Sequence, residues 1–85
     1  MNTHPIAAKL ASTDYYKVDT YADPRGNVCI SVHNGCKLAT LTEQTDGTVA
    51  VALFIDYGTD GRSYCDGATY KTAAGSVRKV RGFLG

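Results

Sequence analysis

Asn34-Gly35 constrains this chain more than any other short feature, because it stands between two runs that read as extended. Before it, Val28, Ile30 and Val32 alternate with Cys29, Ser31 and His33, the period of two expected of a strand with one buried face. After it comes Cys36 to Glu43, a returning strand. Asn-Gly between extended runs is the strongest local hairpin signal, since a type I′ turn needs positive φ at both central residues. A two-residue turn at Asn34-Gly35 places Val28 opposite Leu41 and Ile30 opposite Ala39.

The rest of the sheet follows from that hairpin. Tyr15 to Tyr21 is rich in Tyr, Val and Thr and reads as a strand, closed by the Pro-then-Gly turn cluster Ala22 to Gly26. Thr48 to Tyr57 is a long strand with Val49, Val51, Leu53, Ile55 and Tyr57 on one face. Parity then decides the turn before it. A two-residue Asp46-Gly47 turn would split the apolar residues between the two faces. A three-residue loop Thr45-Asp46-Gly47, with Gly47 in the left-handed region as a bulge, puts Leu41 beside Val51 and Ala39 beside Leu53. The three-residue loop is therefore expected.

Gly58 to Gly67 is turn-rich and has no period, so it reads as a long loop with at most a short strand near Ser63 to Cys65. Thr69 or Thr72 then caps a C-terminal helix in which Ala73, Val77, Val80 and Leu84 recur at spacings of four, three and four. Its stripe should roof the sheet, with Gly75 and Gly82 together on the far side. At the start of the chain, Thr3 caps a short helix entered through Pro5, with Ile6, Ala7, Leu10 and Ala11 on one stripe. The fold expected is α+β, a four-stranded antiparallel meander packed by a C-terminal helix, with a short N-terminal helix. Eighty-five residues support one small core and hence one domain over residues 1–85.

Composition removes several classes. Hydrophobic residues at 44% and charged residues at 20% are ordinary for a globular chain. A net charge of +1 argues against both a DNA-coating protein and an acidic DNA mimic. The start Met1-Asn2-Thr3-His4-Pro5 does not read as a secretory signal, and no apolar run approaches the ~20 residues of a membrane span. Three cysteines fit free thiols in a reducing cytoplasm better than a disulfide framework.

Chemistry-bearing groupings are few. Flanking the Asn34-Gly35 turn, His33 and Cys36 are expected as cross-strand neighbours, a pair that can activate a thiol or contribute to a zinc site. Cys29 lies about 13 Å along the strand from His33, too far to join one metal, and no Cys-x-x-Cys or His-x-x-x-His spacing is present. Asp56 to Gly67 begins like a calcium loop, with Asp at its first and fifth positions and Gly at its sixth. It then places Gly58 at the third and Gly67 where a bidentate Glu is required. No nucleophile elbow or phosphate-cradling loop occurs. Neither catalysis nor a cofactor is expected.

Two biases remain. Residues 68–85 hold Lys71, Arg78, Lys79 and Arg81 with no acid, while residues 1–67 hold five bases against eight acids. In the last turns of a helix such bases offset the dipole, and they can equally meet phosphate. Six Tyr accompany only two Phe and no Trp. Tyrosine shields sheet edges and is also enriched at protein interfaces, where it brings apolar area, a polar tip and few rotors. Tyr16, Tyr57, Tyr64 and Tyr70, with Arg62, Arg78, Lys79 and Arg81, are the candidate partner-binding residues. Strand Tyr15–Tyr21 or strand Thr48–Tyr57 should be an edge, and an edge invites a homodimer.

A short helix, a meander, a loop and a closing segment Gly67-Ala68-Thr69-Tyr70-Lys71-Thr72-Ala73-Ala74 resemble small orphan proteins of phages and mobile elements. Among these the anti-CRISPR inhibitors are the functionally defined group. The resemblance implies a noncatalytic inhibitor in the host cytoplasm that binds a nuclease or a CRISPR surveillance ribonucleoprotein and blocks nucleic-acid loading or cleavage. The alternative from the residues is a small nucleic-acid binder, dimeric or not, that uses the basic helix.

Overall fold

The computed structural model describes Leu10 and residues 16–85. The expected N-terminal helix lies outside the described residues; of its stripe only Leu10 is described, and it is wholly buried in the core. Residues 16–85 form five strands and one α-helix: β1 (Lys17–Ala22), β2 (Val28–Asn34), β3 (Lys37–Glu43), β4 (Val49–Asp56), β5 (Arg62–Tyr70) and α1 (Ala73–Leu84). Spatial order equals chain order, and every pairing is antiparallel. The meander thus has five strands where four were expected.

The fifth strand is a correction. Residues 62–70 pair with β4 along its length, although nearly all of them are exposed. An edge strand open on both faces needs no apolar alternation, so its Asp and Gly content hid it. One irregularity interrupts the ladder: Leu53 pairs with Asp66 and Phe54 with Tyr64, leaving Cys65 as the extra residue of a bulge. The tip before β5 is tight, with a single 3-10 turn at Gly58–Asp60 and Tyr57 N–H donating to Gly61 O at 2.8 Å.

The first hairpin is also corrected, by two positions. Asn34 pairs with Lys37, so the turn is Gly35-Cys36, and Ile30 faces Leu41 while Val32 faces Ala39. Gly35 has φ 63° and no other residue of the turn has positive φ, the II′ pattern with Gly at the first central position. Asn34 stays in β2, where its Nδ2 donates to Leu84 O at 2.7 Å and satisfies a carbonyl at the end of α1. Because the shift is even, no side chain changes face. The second hairpin is as expected: Leu41 pairs with Val51 and Ala39 with Leu53 around a three-residue loop, with Gly47 at φ 88°.

Helix α1 starts at Thr72, whose hydroxyl accepts Gly75 N–H at 3.1 Å. Val77, Val80 and Leu84 bury one stripe against Ile30, Val32, Ala39, Leu41, Val49, Val51 and Leu53. Burying each such side chain is worth about 1.5 to 3 kcal/mol, and this layer is what holds the two elements together. At the far end, Tyr16 hydroxyl donates to Gly85 O at 3.2 Å, and Lys37 Nζ sits 5.6 Å above the Phe83 ring. No helix among the described residues is long and apolar enough to cross a membrane.

Candidate interaction surface

Strand parity places half of the side chains on the face away from α1. There the ladder sets Lys17, His33, Leu38, Phe54 and Tyr64 in one row across the sheet. The row beside it is Asp19, Ser31, Thr40, Ala52 and Gly67, small and flat toward β5. Among the described residues no helix covers this face. Relief therefore stands at the two ends, with Tyr21 half exposed on β1 at one and a larger aromatic group at the other, where β4 turns into β5.

Three aromatic residues build that end. Phe54 and Tyr64 are ladder partners, and their rings meet edge to face with centroids 5.7 Å apart. Tyr64 lies along the sheet over Gly67, where an added Cβ would meet its hydroxyl and stand 3.1 Å from Val51 O, so any larger residue there displaces the ring. Tyr64 nevertheless stays 63% exposed, and Tyr57 at the hairpin tip 57%. The bulge at Cys65 supplies the odd residue that turns Tyr64 and Arg62 to this face while Asp66 goes to the other.

Charges beside the rings nearly cancel. Asp56 Oδ2 lies 3.4 Å from His33 Nε2 and 3.8 Å from Arg62 Nε, linking β2, β4 and β5. Gly58 N–H donates to Asp56 Oδ1 at 2.9 Å. That bond first, then His33 and Arg62, holds the Asp56 carboxyl below the ordinary carboxylate range against an opposing push from burial. A cleft of about 390 Å³ adjoins, lined by Lys17, Asp19, His33 and Gly35. With Asp60 in the turn, this end holds two bases and three acids beside one histidine, close to neutral with a slight acidic excess, so a polyanion gains little here.

The eight candidate residues do not form one surface. Arg62 and Tyr64 share the open face with Tyr57 close by at the tip. Arg78, Lys79 and Arg81 lie on α1, in the opposite layer, and Lys79 Nζ is 3.6 Å from Asp66 Oδ2. Tyr16 and Tyr70 turn inward and pack against the core, where they are partly buried. Phe54 and the His33–Asp56 pair were missed, although the alternation of β4 already places Phe54 and Asp56 opposite Val51 and Leu53.

The other expected grouping separates. His33 pairs with Leu38, while Cys36 is exposed in the turn, so the two are not cross-strand neighbours. Cys29 is buried, its Sγ 3.6 Å from Thr42 Oγ1. Among the described residues, no three His, Cys, Asp or Glu side chains are grouped to hold a metal ion.

Sheet edges are β1 and β5; of the two strands expected as edge candidates, β1 is one and β4 has neighbours on both sides. The β5 edge is broken by the bulge, and Gly67 N–H is taken by Asp66 Oδ1 at 2.8 Å. Lys17 and Asp19 put charge on the short β1 edge. Both devices oppose strand-to-strand pairing with a second copy. Comparison with protein-family models, curated proteins and solved structures gives no match to this chain.

Proposed function

We propose that the protein is a non-enzymatic protein-binding module that meets its partner through the β4–β5 end of the open sheet face. One observation carries this reading: two tyrosines more than half exposed and an arginine lie on one hairpin of a face with nearly balanced charge. Tyr and Arg are the residues that dominate interface energetics, and a neutral aromatic patch gains more from desolvation against protein than from phosphate. The resemblance to anti-CRISPR inhibitors supplies the class of partner, a host nuclease or CRISPR surveillance complex in the cytoplasm, which the module would block before nucleic-acid loading or cleavage.

The test is a target-cleavage assay with purified, guide-loaded surveillance complexes, followed by size exclusion with light scattering of the mixture. Inhibition and co-elution that vanish in the Tyr57→Ala/Arg62→Ala/Tyr64→Ala triple variant support the reading. Inhibition unchanged by the triple variant removes the hairpin from it. A lack of co-elution with every complex tried removes the inhibitor class. Direct nucleic-acid binding through Arg78, Lys79 and Arg81 is the weaker reading, because three bases make only a short row and Lys79 already faces Asp66. It requires an affinity that falls steeply with salt.

A further inference from the structure

Asn34 Nδ2 donates to Leu84 O at 2.7 Å, Tyr16 hydroxyl donates to Gly85 O, and Lys37 Nζ lies over the Phe83 ring, so the last turn of α1 is tied to β2, β3 and Tyr16. Of these ties the first is chemically perishable. Asn34 is half-buried and is followed by Gly35, which has no side chain to shield its backbone nitrogen. As the first central residue of the turn, Gly35 also gives its N–H to no ladder bond. The chain's other asparagines precede Thr3 and Val28, whose β-branched side chains hinder attack by that nitrogen.

We propose that Asn34-Gly35 is a site of spontaneous deamidation whose product unfastens the last turn of α1. Gly35 N attacks Asn34 Cγ; the new N–C bond closes a succinimide ring, and Nδ2 leaves as ammonia with the proton from Gly35. Water then opens the ring, at the side-chain carbonyl to give an aspartate or at the main-chain carbonyl to give an isoaspartate. Either product has lost the donor that held Leu84 O. The aspartate sets a carboxylate against the negative end of the helix. Lys37, its ladder partner, is the cation beside it, and pairing there draws Lys37 off Phe83, so two ties are lost together. The isoaspartate lengthens the main chain by a methylene ahead of the turn and breaks the Asn34–Lys37 pairing. In the intact protein the bond to Leu84 O holds the amide away from Gly35, so the reaction waits for the last turn to open. None of this depends on the tyrosine hairpin or on a partner.

The test is to age the protein in mildly alkaline buffer, native and in urea, and to map it by peptide mass spectrometry. Expected is the mass gain of amide to acid at Asn34 and not at Asn27, about tenfold slower in the native chain than in urea, the factor that one hydrogen bond supplies. Tyr16→Phe, which removes a neighbouring tie and keeps the ring, should raise the native rate severalfold. In Asn34→Asp, hydrogen exchange in the last turn of α1 should quicken by about tenfold while β3 and β4 exchange as in the parent, and the Phe83 ring resonances should shift. If Asn34→Asp fails to fold, the native rates of the parent and of Tyr16→Phe decide. Ageing as fast in the native chain as in urea, an Asn34 left intact in the native chain when the unfolded chain is fully converted, a Tyr16→Phe rate equal to the parent's, or parent-like exchange in folded Asn34→Asp would each overturn the proposal.

Discussion

Leu38 and Leu41 stand three residues apart on β3, are equally buried, and point to opposite sides of one sheet. Leu41 is closed over by another layer: it packs with Ile30, Val51 and the α1 stripe. Leu38 belongs to no such cluster, and its ladder neighbours are His33 and Phe54. The two sites are therefore equally closed to solvent and differ in the size of the residues around them. On the α1 side they are Val, Ile and Leu, which meet a second apolar layer. On the other side Ser31, Thr40, Ala52 and Gly67 leave a flat floor between the Phe54–Tyr64 pair at one end and Tyr21 at the other.

Substitution can break this contrast or sharpen it. Leu41→Ala should cost about 3 to 5 kcal/mol in urea unfolding, since helix and sheet cannot both close on the cavity, while Leu38→Ala should cost about 2. Equal losses would mean that the two faces are closed in the same way. Next in size is Gly67→Ala, expected to cost about 1 to 2 kcal/mol by displacing Tyr64. That penalty should shrink by at least half in a Tyr64→Ala background, and an additive double mutant would show that the ring does not press on this residue. On the helix side, Thr72→Ala should cost about 1 kcal/mol through loss of the bond to Gly75 N–H, read as a lower melting temperature.

The smallest effect belongs to Asp56 and depends on pH. Its folded-state carboxyl titrates below the ordinary value, held down first by Gly58 N–H and then by His33 and Arg62. The stability it contributes is complete above the ordinary carboxylate value and is lost as pH falls through the lowered one. Wild type should then lose its advantage over Asp56→Asn below about pH 4, and parallel melting curves across that range would remove Asp56 from the account.

How much of this was legible follows from which residues obey local rules. The Thr45-Asp46-Gly47 loop was readable because parity left one solution that kept Leu41 with Val51. The Val77, Val80, Leu84 stripe was readable, and the cap was narrowed to Thr69 or Thr72, because capping and the helical period act within a few residues; the structure takes Thr72. The phase of the Gly35-Cys36 turn was not, because it is tied to Asn34 reaching Leu84 O across fifty residues of chain. Strand β5 was not, because its only apolar obligations are at Tyr70 and toward Phe54, and its hydrogen bonds come from β4. The candidate site shared that fate. Tyr64 and Arg62 were picked by type, but their separation from Arg78 and Arg81 by the thickness of the sheet depends on a bulge that no short-range pattern announces.

A sheet whose spatial order is its chain order has a consequence during synthesis. Each strand can zip onto its predecessor as it emerges from the ribosome, with only short loops to close and little entropy lost at each step. The helix that shuts the apolar layer is made after all five strands, so until it arrives the nascent sheet presents an oily face, and that interval is when the chain is most exposed to aggregation.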